Sequence, residues 1–377
     1  MASAPLCVVG IDQGTTSTRA FQLLHDGEFV PLCGFSHRQF YPQAGWFEHD
    51  PRELLSSLGQ CLDYATGAAG VGLGNQGGTV VIWDTETGEP LYNAIVWNDI
   101  RTRDTVEQMR RDGAESLTLA RSGLPLDARF AASKLRWLLD HVPNARRLAR
   151  AKRLRLATSD AFFLDRLCGR YATDVTTASR TGLMNLATGA WDQELCRLFG
   201  VPMDLLPPIL PTAHDFGAIR DRGIPVTASV ADQQAALFGH GCHAPGDVKI
   251  TLGTGAFALA ISGETPPTSH DDGVLATVAT RVGTRTTYAL DGGVYNANSA
   301  TNWIRSIGLF ADPRELTTFR GASAIERDIV FVPALSGLAC PHWDRTAAGL
   351  WIGLGLDTQR EDLVRSALEG IALRCAQ

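Results

Sequence analysis

At 377 residues, with 45% hydrophobic and 20% charged side chains, the chain has the make-up of a globular protein long enough for two domains with separate cores, which excludes disordered and collagen-like classes. Its formal charge of −6 carries no long run of one sign, so no basic stripe is available for a nucleic-acid backbone or an anionic membrane. A small molecule is the expected partner, with no nucleic acid and no membrane.

The N-terminal stretch Met1–Val9 has no cationic segment and reaches Asp12 too soon for a signal peptide, and no apolar run approaches the ~18 residues of a membrane span. The eight cysteines are scattered without a C-x-x-C pair, which reads as reduced thiols and a cytoplasmic location.

In chain order, the apolar Leu6–Ile11 and Ala20–Leu24 flank the turn-like Asp12-Gln13-Gly14-Thr15-Thr16 and predict a hairpin with a small-residue tip. Asp50, Pro51 and Glu53 predict a helix start with cap, first-turn proline and capping glutamate, followed by the stripe Leu54, Leu58, Cys61, Leu62 and Ala65. Strands are expected at Thr79–Asp84 and Tyr92–Trp97, and helices around Arg101–Arg111 and Phe130–Asp140. The proline-rich, aperiodic stretch from Leu205 to Pro225 suits a crossing between domains, placing them at 1–225 and 226–377. Strands then follow at Asp247–Leu252, Ala256–Ser262, Val274–Thr280 and Thr286–Leu290, with helices at Ser299–Ile307 and Arg360–Cys375.

A strand, a Gly-Thr turn and a strand thus occur twice, at Ile11–Thr16 and again at Ile250–Gly255. Such a tip offers unobstructed backbone N–H groups and hydroxyls, which suit phosphate oxygens. Asp12 would supply a hard oxygen for Mg²⁺, and Arg19 a fixed positive charge for a transferring group. Asp, Gly and Thr also favour plain tight turns; the second copy, at Gly253, Thr254 and Gly255, favours the ligand reading. In Ala231-Asp232-Gln233-Gln234, which opens a helix, Asp232 can be a helix cap or a general base that accepts a hydroxyl proton.

These motifs, with Gly45-Trp46-Phe47-Glu48-His49-Asp50-Pro51, Tyr92–Trp97, Thr173-Asp174, Ala178-Ser179-Arg180-Thr181 and Gly349–Glu369, resemble the FGGY carbohydrate kinase family across essentially the whole chain, and within it the glycerol kinase branch. The resemblance implies a two-domain actin-like ATPase fold (ribonuclease-H-like α/β domains), with ATP and Mg²⁺ as cofactors and phosphorylation of a polyol or sugar hydroxyl. It implies Asp232 as the base, Asp12 as the Mg²⁺-associated carboxylate, and Gly14, Thr15, Thr16, Arg19, Gly253, Thr254 and Gly255 as phosphate contacts. Trp97, Gln233, Asp232 and Phe257 would line the substrate pocket.

The sequence also departs from that pattern. Where glycerol kinases follow Asn-Gln with Arg-Glu, Asn75-Gln76 is followed by Gly77-Gly78, and Arg129 stands where the family has a tyrosine. Trp97-Asn98-Asp99 leans toward xylulokinases. The chain also stops soon after Leu368-Glu369-Gly370, so the second domain is expected to be incomplete and to lack the adenosine-binding segment. Glycerol is the leading acceptor. Erythritol, ribitol, xylulose or ribulose, a non-catalytic fragment, and an actin-like ATPase are the alternatives. A homodimer is allowed.

Overall fold

The structure, a computed structural model, describes residues 7–267, 273–344 and 346–377. It divides into two units. Unit one takes the chain through Pro245, the segment beginning at Ile261, and Ala276–Ala289; unit two takes Gly246–Ala260, the stretch ending at Leu275, and Leu290–Gln377.

Unit one opens with the expected hairpin of β1 (Val8–Gln13) and β2 (Ser17–Leu23), then β3 (Phe29–Ser36), β4 (Glu48–His49) and α1 (Pro51–Asp63). Asp50 caps α1 by accepting from Arg52 N at 2.9 Å. The expected capping glutamate does otherwise: Glu53 accepts from Arg38 N and Nε, each at 3.1 Å, because a charged donor beside the first turn outcompetes the cap's own N–H. The chain continues through β5 (Gly70–Asn75), β6 (Val80–Asp84), β7 (Ala94–Ile95), α2 (Arg103–Arg111), α3 (Glu115–Ser122), α4 (Ala131–His141) and α5 (Ala145–Arg150). Next come β8 (Leu154–Thr158), α6 (Ser159–Cys168), β9 (Thr173–Asp174), α7 (Val175–Ala178), β10 (Met184–Asn185), β11 (Ala190–Trp191), α8 (Gln193–Phe199), β12 (Ile209–Leu210), β13 (Val226–Ala231) and α9 (Asp232–Gly239).

The first sheet runs β13-β5-β1-β2-β3, with β13, β5 and β1 parallel. Side chains alternate across a strand, so Val9, Ile11 and Gln13 of β1 are buried while Val8, Gly10 and Asp12 are exposed. The apolar stripe of α1 covers the buried face: Leu54, Leu58 and Leu62 pack with Val9, Ile11, Val71 and Leu73, and each leucine so buried contributes roughly 1.5–3 kcal/mol. In a second, antiparallel sheet, β4-β7-β6-β8, the strand β6 is buried on both faces. In β6, Val81 and Trp83 join the core under the first sheet, whereas Val80 and Ile82 face Leu135 and Leu138 of α4.

The crossing expected near 225 falls inside unit one. Val226–Ala231 is an edge strand of the first sheet, paired from Val226↔Val71 to Ala231↔Asn75. The proline-rich stretch before it returns the chain to that sheet, because Val226 and Ala231 are apolar and find full burial there.

Unit two contains an antiparallel pair between β14 (Val248–Leu252) and the first part of β15 (Ala256–Gly263). The strands β15, β16 (Leu275–Val282) and β17 (Arg285–Val294) each lead the chain from one unit into the other. α10 (Asn298–Ser306), β18 (Val330–Val332), β19 (Leu350–Ile352) and α11 (Arg360–Ala376) complete unit two. Ala300, Ile304, Phe331, Val364 and Ala367 form its core, where Trp303, Phe331 and Trp351 stack with ring centroids 4.5–6.1 Å apart. Among the described residues, no helix is long and apolar enough to cross a membrane.

Candidate active site

Three parallel strands of unit one end side by side, with Gln13, Asn75 and Ala231 in register. Just beyond these ends stand the hairpin tip Gly14-Thr15-Thr16, the loop Gln76-Gly77-Gly78, and Asp232 at the start of α9. The carboxyl end of a parallel sheet is where such folds bind ligands, and the sheet brings most of the sequence-predicted residues there. Asp232 is the first helical residue, while Ala231 occupies the capping position; the Asp232 carboxylate accepts from Gln233 N at 2.7 Å.

The hairpin tip is closed by Gly14 N donating to Ser17 O at 3.0 Å. The Thr15 carbonyl accepts from His37 Nε2 at 2.9 Å and Gln39 Nε2 at 3.1 Å, so His37 carries its proton on Nε2. Burial lowers the pKa of His37, and that of His49 to about 4, which keeps both rings neutral under the tip. Below it, Gln76 Nε2 donates to Gln13 Oε1 at 3.2 Å. Asp12 and Arg19 face each other across β1 and β2 on the solvent side. Although Asp12 is exposed as a residue, crowding around its carboxyl raises its pKa, against the opposing charge of Arg19. A cation at that carboxyl would reverse the shift.

Trp97 joins the tip to the second loop. Its Nε1 donates to Thr15 Oγ1 at 3.0 Å, and its N donates to Thr79 Oγ1 at 3.1 Å. Gly78 has φ +89, and a Cβ there would sit 3.1 Å from Arg129 O and 3.5 Å from the Trp97 Cβ. A family-like glutamate at 78 would therefore meet both strain and crowding. A Cβ on Gly77 would lie 3.5 Å from the Ala231 Cβ and 3.7 Å from Arg180 Cγ. Arg129 is folded back on its own loop, with Nε 3.3 Å from Asp127 Oδ1.

The position of Asp232 is set from beneath. Asp174, fully buried, accepts from Thr176 N, Thr177 N, Thr176 Oγ1 and Thr212 Oγ1 at 2.8–3.0 Å. Burial raises its pKa, and the threonine donors oppose the rise. Thr176 Oγ1 in turn accepts from Ala231 N at 2.9 Å, and Thr177 Oγ1 from Asn75 Nδ2 at 3.0 Å. One buried turn thereby fixes the ends of β5 and β13. Thr176→Val, which keeps the shape but leaves Ala231 N without its acceptor, is expected to cost about 1–3 kcal/mol. Thr176→Ser should restore most of it; chemical unfolding of the three proteins checks this.

In unit two, the tip of the second hairpin is braced by the start of α10. Thr254 O accepts from Ala297 N and Ser299 N, both at 3.1 Å, and Gly253 O from Asn298 N at 3.2 Å. Gly255 is required, since a Cβ would sit 2.5 Å from Val294 O. The Phe257 ring packs where Cβ atoms on Gly255 and Gly293 would come within 3.0–3.2 Å of it.

Residues 7–239 and 248–377 match the N-terminal and C-terminal domains of the FGGY family of carbohydrate kinases. The chain belongs to that family.

Among curated relatives, a glycerol kinase of Alkalilimnicola ehrlichii is 41% identical, covering 98% of this chain and 78% of its own. One from Limosilactobacillus reuteri is 39% identical over 97% and 76%. The crystal structure of Plasmodium falciparum glycerol kinase with ADP superposes with a TM-score of 0.88 at 30% identity, covering 98% of this chain and 77% of that one. A xylulose kinase from Lactobacillus acidophilus shares the fold at a TM-score of 0.87 and 23% identity. The expected two-domain actin-like fold is thereby established, and as an FGGY kinase the chain is a phosphotransferase with an alcohol acceptor, which favours the catalytic reading over the non-catalytic one.

Several residues that build this candidate site carry no mark in the sequence. His37 and Gln39 carry no pattern that marks them as props of Thr15. Arg180 has no role that Ala178-Ser179-Arg180-Thr181 makes evident, yet it flanks Gly77. Asp99, part of the xylulokinase-like triplet, is buried and paired with Arg101 at 2.8 Å rather than facing a ligand.

Proposed function

We propose that this chain phosphorylates a polyol or sugar hydroxyl with ATP, Asp232 accepting the hydroxyl proton. The observation that carries this reading is the convergence of Asp232, the Gly14–Thr16 tip and the Gly77-Gly78 loop at the ends of three parallel strands. The residues present suit the nucleotide. The Gly-Thr tips of the two hairpins offer N–H groups and hydroxyls for phosphate, and Asp12 and Arg19 offer a carboxylate for Mg²⁺ and a positive charge. When bound, Mg·ATP would supply the phosphoryl group and neutralise part of its charge. The protein's share is to align the acceptor, hold Asp232 and its N–H donors in place, and keep water out.

Glycerol is the first acceptor to test, on the strength of the relatives. Gly77-Gly78 favours a second reading, in which the loss of the two long hydroxyl-reading side chains that glycerol kinases carry there goes with a four- or five-carbon polyol or ketopentose as acceptor. Asn75 and Gln76, at the end of β5, each hold a buried amide oxygen with no protein partner. ATP consumption against glycerol, erythritol, ribitol, xylulose and ribulose tests both. Highest kcat/KM for glycerol supports the first reading, highest for a longer acceptor supports the second, and no acceptor-stimulated turnover contradicts both. Arg129→Ala, which removes the side chain that pairs with Asp127 in the loop beside Gly78, is expected to raise the acceptor KM about tenfold with a smaller change in kcat.

A further inference from the structure

Lys134, on α4, is fully buried, and a buried ammonium needs partners to offset its desolvation. None of its hydrogen bonds goes to a carboxylate. Nζ donates to Arg129 O at 2.8 Å, Trp97 O at 3.2 Å and Val96 O at 3.3 Å. Those carbonyls belong to two separate loops, one between β7 and α2 carrying Val96 and Trp97 and the other carrying Arg129, and Gly78 lies where any Cβ would touch both. Trp97 passes the restraint on to the phosphate hairpin through Thr15 Oγ1.

Resting on the kinase reading above, we propose that Lys134 is a positioning residue that ties the Trp97 and Arg129 loops together and so sets the width of the acceptor pocket around Gly78. The amine makes no contact with substrate. It acts through the three carbonyls, and the number of donors it can offer depends on its charge: three as the ammonium, two as the neutral amine.

Burial is the main influence on this group and lowers its pKa to about 7. Asp99 and Asp127, from the loops on either side, favour the charge; Arg129 and Arg101 oppose it. Glu48 faces the same cluster through its ion pair with Arg101. As pH rises through about 7, one of the three restraints is lost, so the pocket should loosen toward alkaline pH. The effect on folding has the opposite sign. Between about 7 and the ordinary lysine value of 10.5 the unfolded chain binds more protons, so stability rises with pH across that window.

The test measures acceptor KM and kcat against pH at saturating nucleotide for the wild type, Lys134→Met and Lys134→Arg. The expected wild-type result is a KM that rises through an inflection near 7. Lys134→Met should show a KM raised about tenfold at neutral pH, the size of one or two lost hydrogen bonds, with kcat less affected and no inflection. Lys134→Arg, which keeps its charge at all these pH values, should recover part of the affinity and also lack the inflection. Amide hydrogen exchange on the intact proteins provides a readout independent of turnover: Lys134→Met should speed exchange in residues 94–100 and 126–131 and leave β1, β5 and β13 unchanged. A KM within twofold of wild type, an inflection that survives in Lys134→Met, or unchanged exchange in those loops overturns the proposal. If the wild type turns over no acceptor, the kinase reading fails instead, and the exchange result alone decides whether Lys134 ties the loops.

Discussion

Replacing Asp232 by Asn should lower kcat about 10²–10⁴-fold, the range for removing a positioned general base, while leaving nucleotide affinity within a few fold. Two features of the site make the effect specific. The side chain starts α9 directly from a strand whose last residue, Ala231, is held by Thr176 Oγ1. The substitution is also nearly isosteric, so its hydrogen bond from Gln233 N, 2.7 Å in the native chain, can be kept by the amide oxygen. Rapid-quench measurement of phosphoryl transfer, paired with nucleotide titration, separates chemistry from binding. Equal losses in both would assign Asp232 to nucleotide binding rather than to the proton.

The second large effect concerns stability. Arg101→Met is expected to destabilise unit one by about 3–5 kcal/mol, the cost of leaving buried charges without their partner. The Arg101 side chain is fully buried, 2.8 Å from both Glu48 Oε1 and Asp99 Oδ2. Its guanidinium lies 3.8 Å from the Trp46 ring centroid and 4.6 Å from that of Trp137. Methionine can refill the apolar space between those rings, but it strands two carboxylates that also hold neighbouring groups: Asp99 accepts from Phe47 N at 2.7 Å, and Glu48 from Asn93 Nδ2 at 3.0 Å. Urea unfolding of the two proteins gives the difference. A loss below about 1 kcal/mol would place the pair among exposed, screened ion pairs, which its burial contradicts. The loop carrying Trp97 lies within this cluster, so acceptor KM should rise alongside the stability loss.

Local chemistry explains why part of this was legible in the sequence. The hairpin at 8–23 announces itself because Asp, Gly and Thr interrupt two apolar runs, and α1 because a cap, a proline and an apolar stripe coincide. β5 gives no strand signal, since Gly-Val-Gly-Leu-Gly-Asn has half its side chains absent and low strand propensity; its glycines serve a parallel sheet packed closely, Gly74 lying opposite Asp12. β13 follows proline-rich sequence and carries no strand signal of its own in the sequence, and nothing in Val226–Ala231 states that its partner is Val71–Asn75, 155–156 residues upstream. The candidate base, the hairpin tip and the two glycines could each be picked out by residue type. Their convergence could not, because it depends on strand order. The supports, Thr176, His37, Gln39 and Lys134, act through buried hydrogen bonds that leave no periodic or compositional trace.

Transfer of phosphate to a carbon-bound oxygen is the central property to measure. Phosphorus NMR of the purified chain with Mg·ATP and each acceptor in turn should show a phosphomonoester signal growing in step with ADP, dependent on the acceptor and absent with Asp232→Asn. Inorganic phosphate released at the same rate with and without acceptor, and no ester signal with any of them, would contradict it.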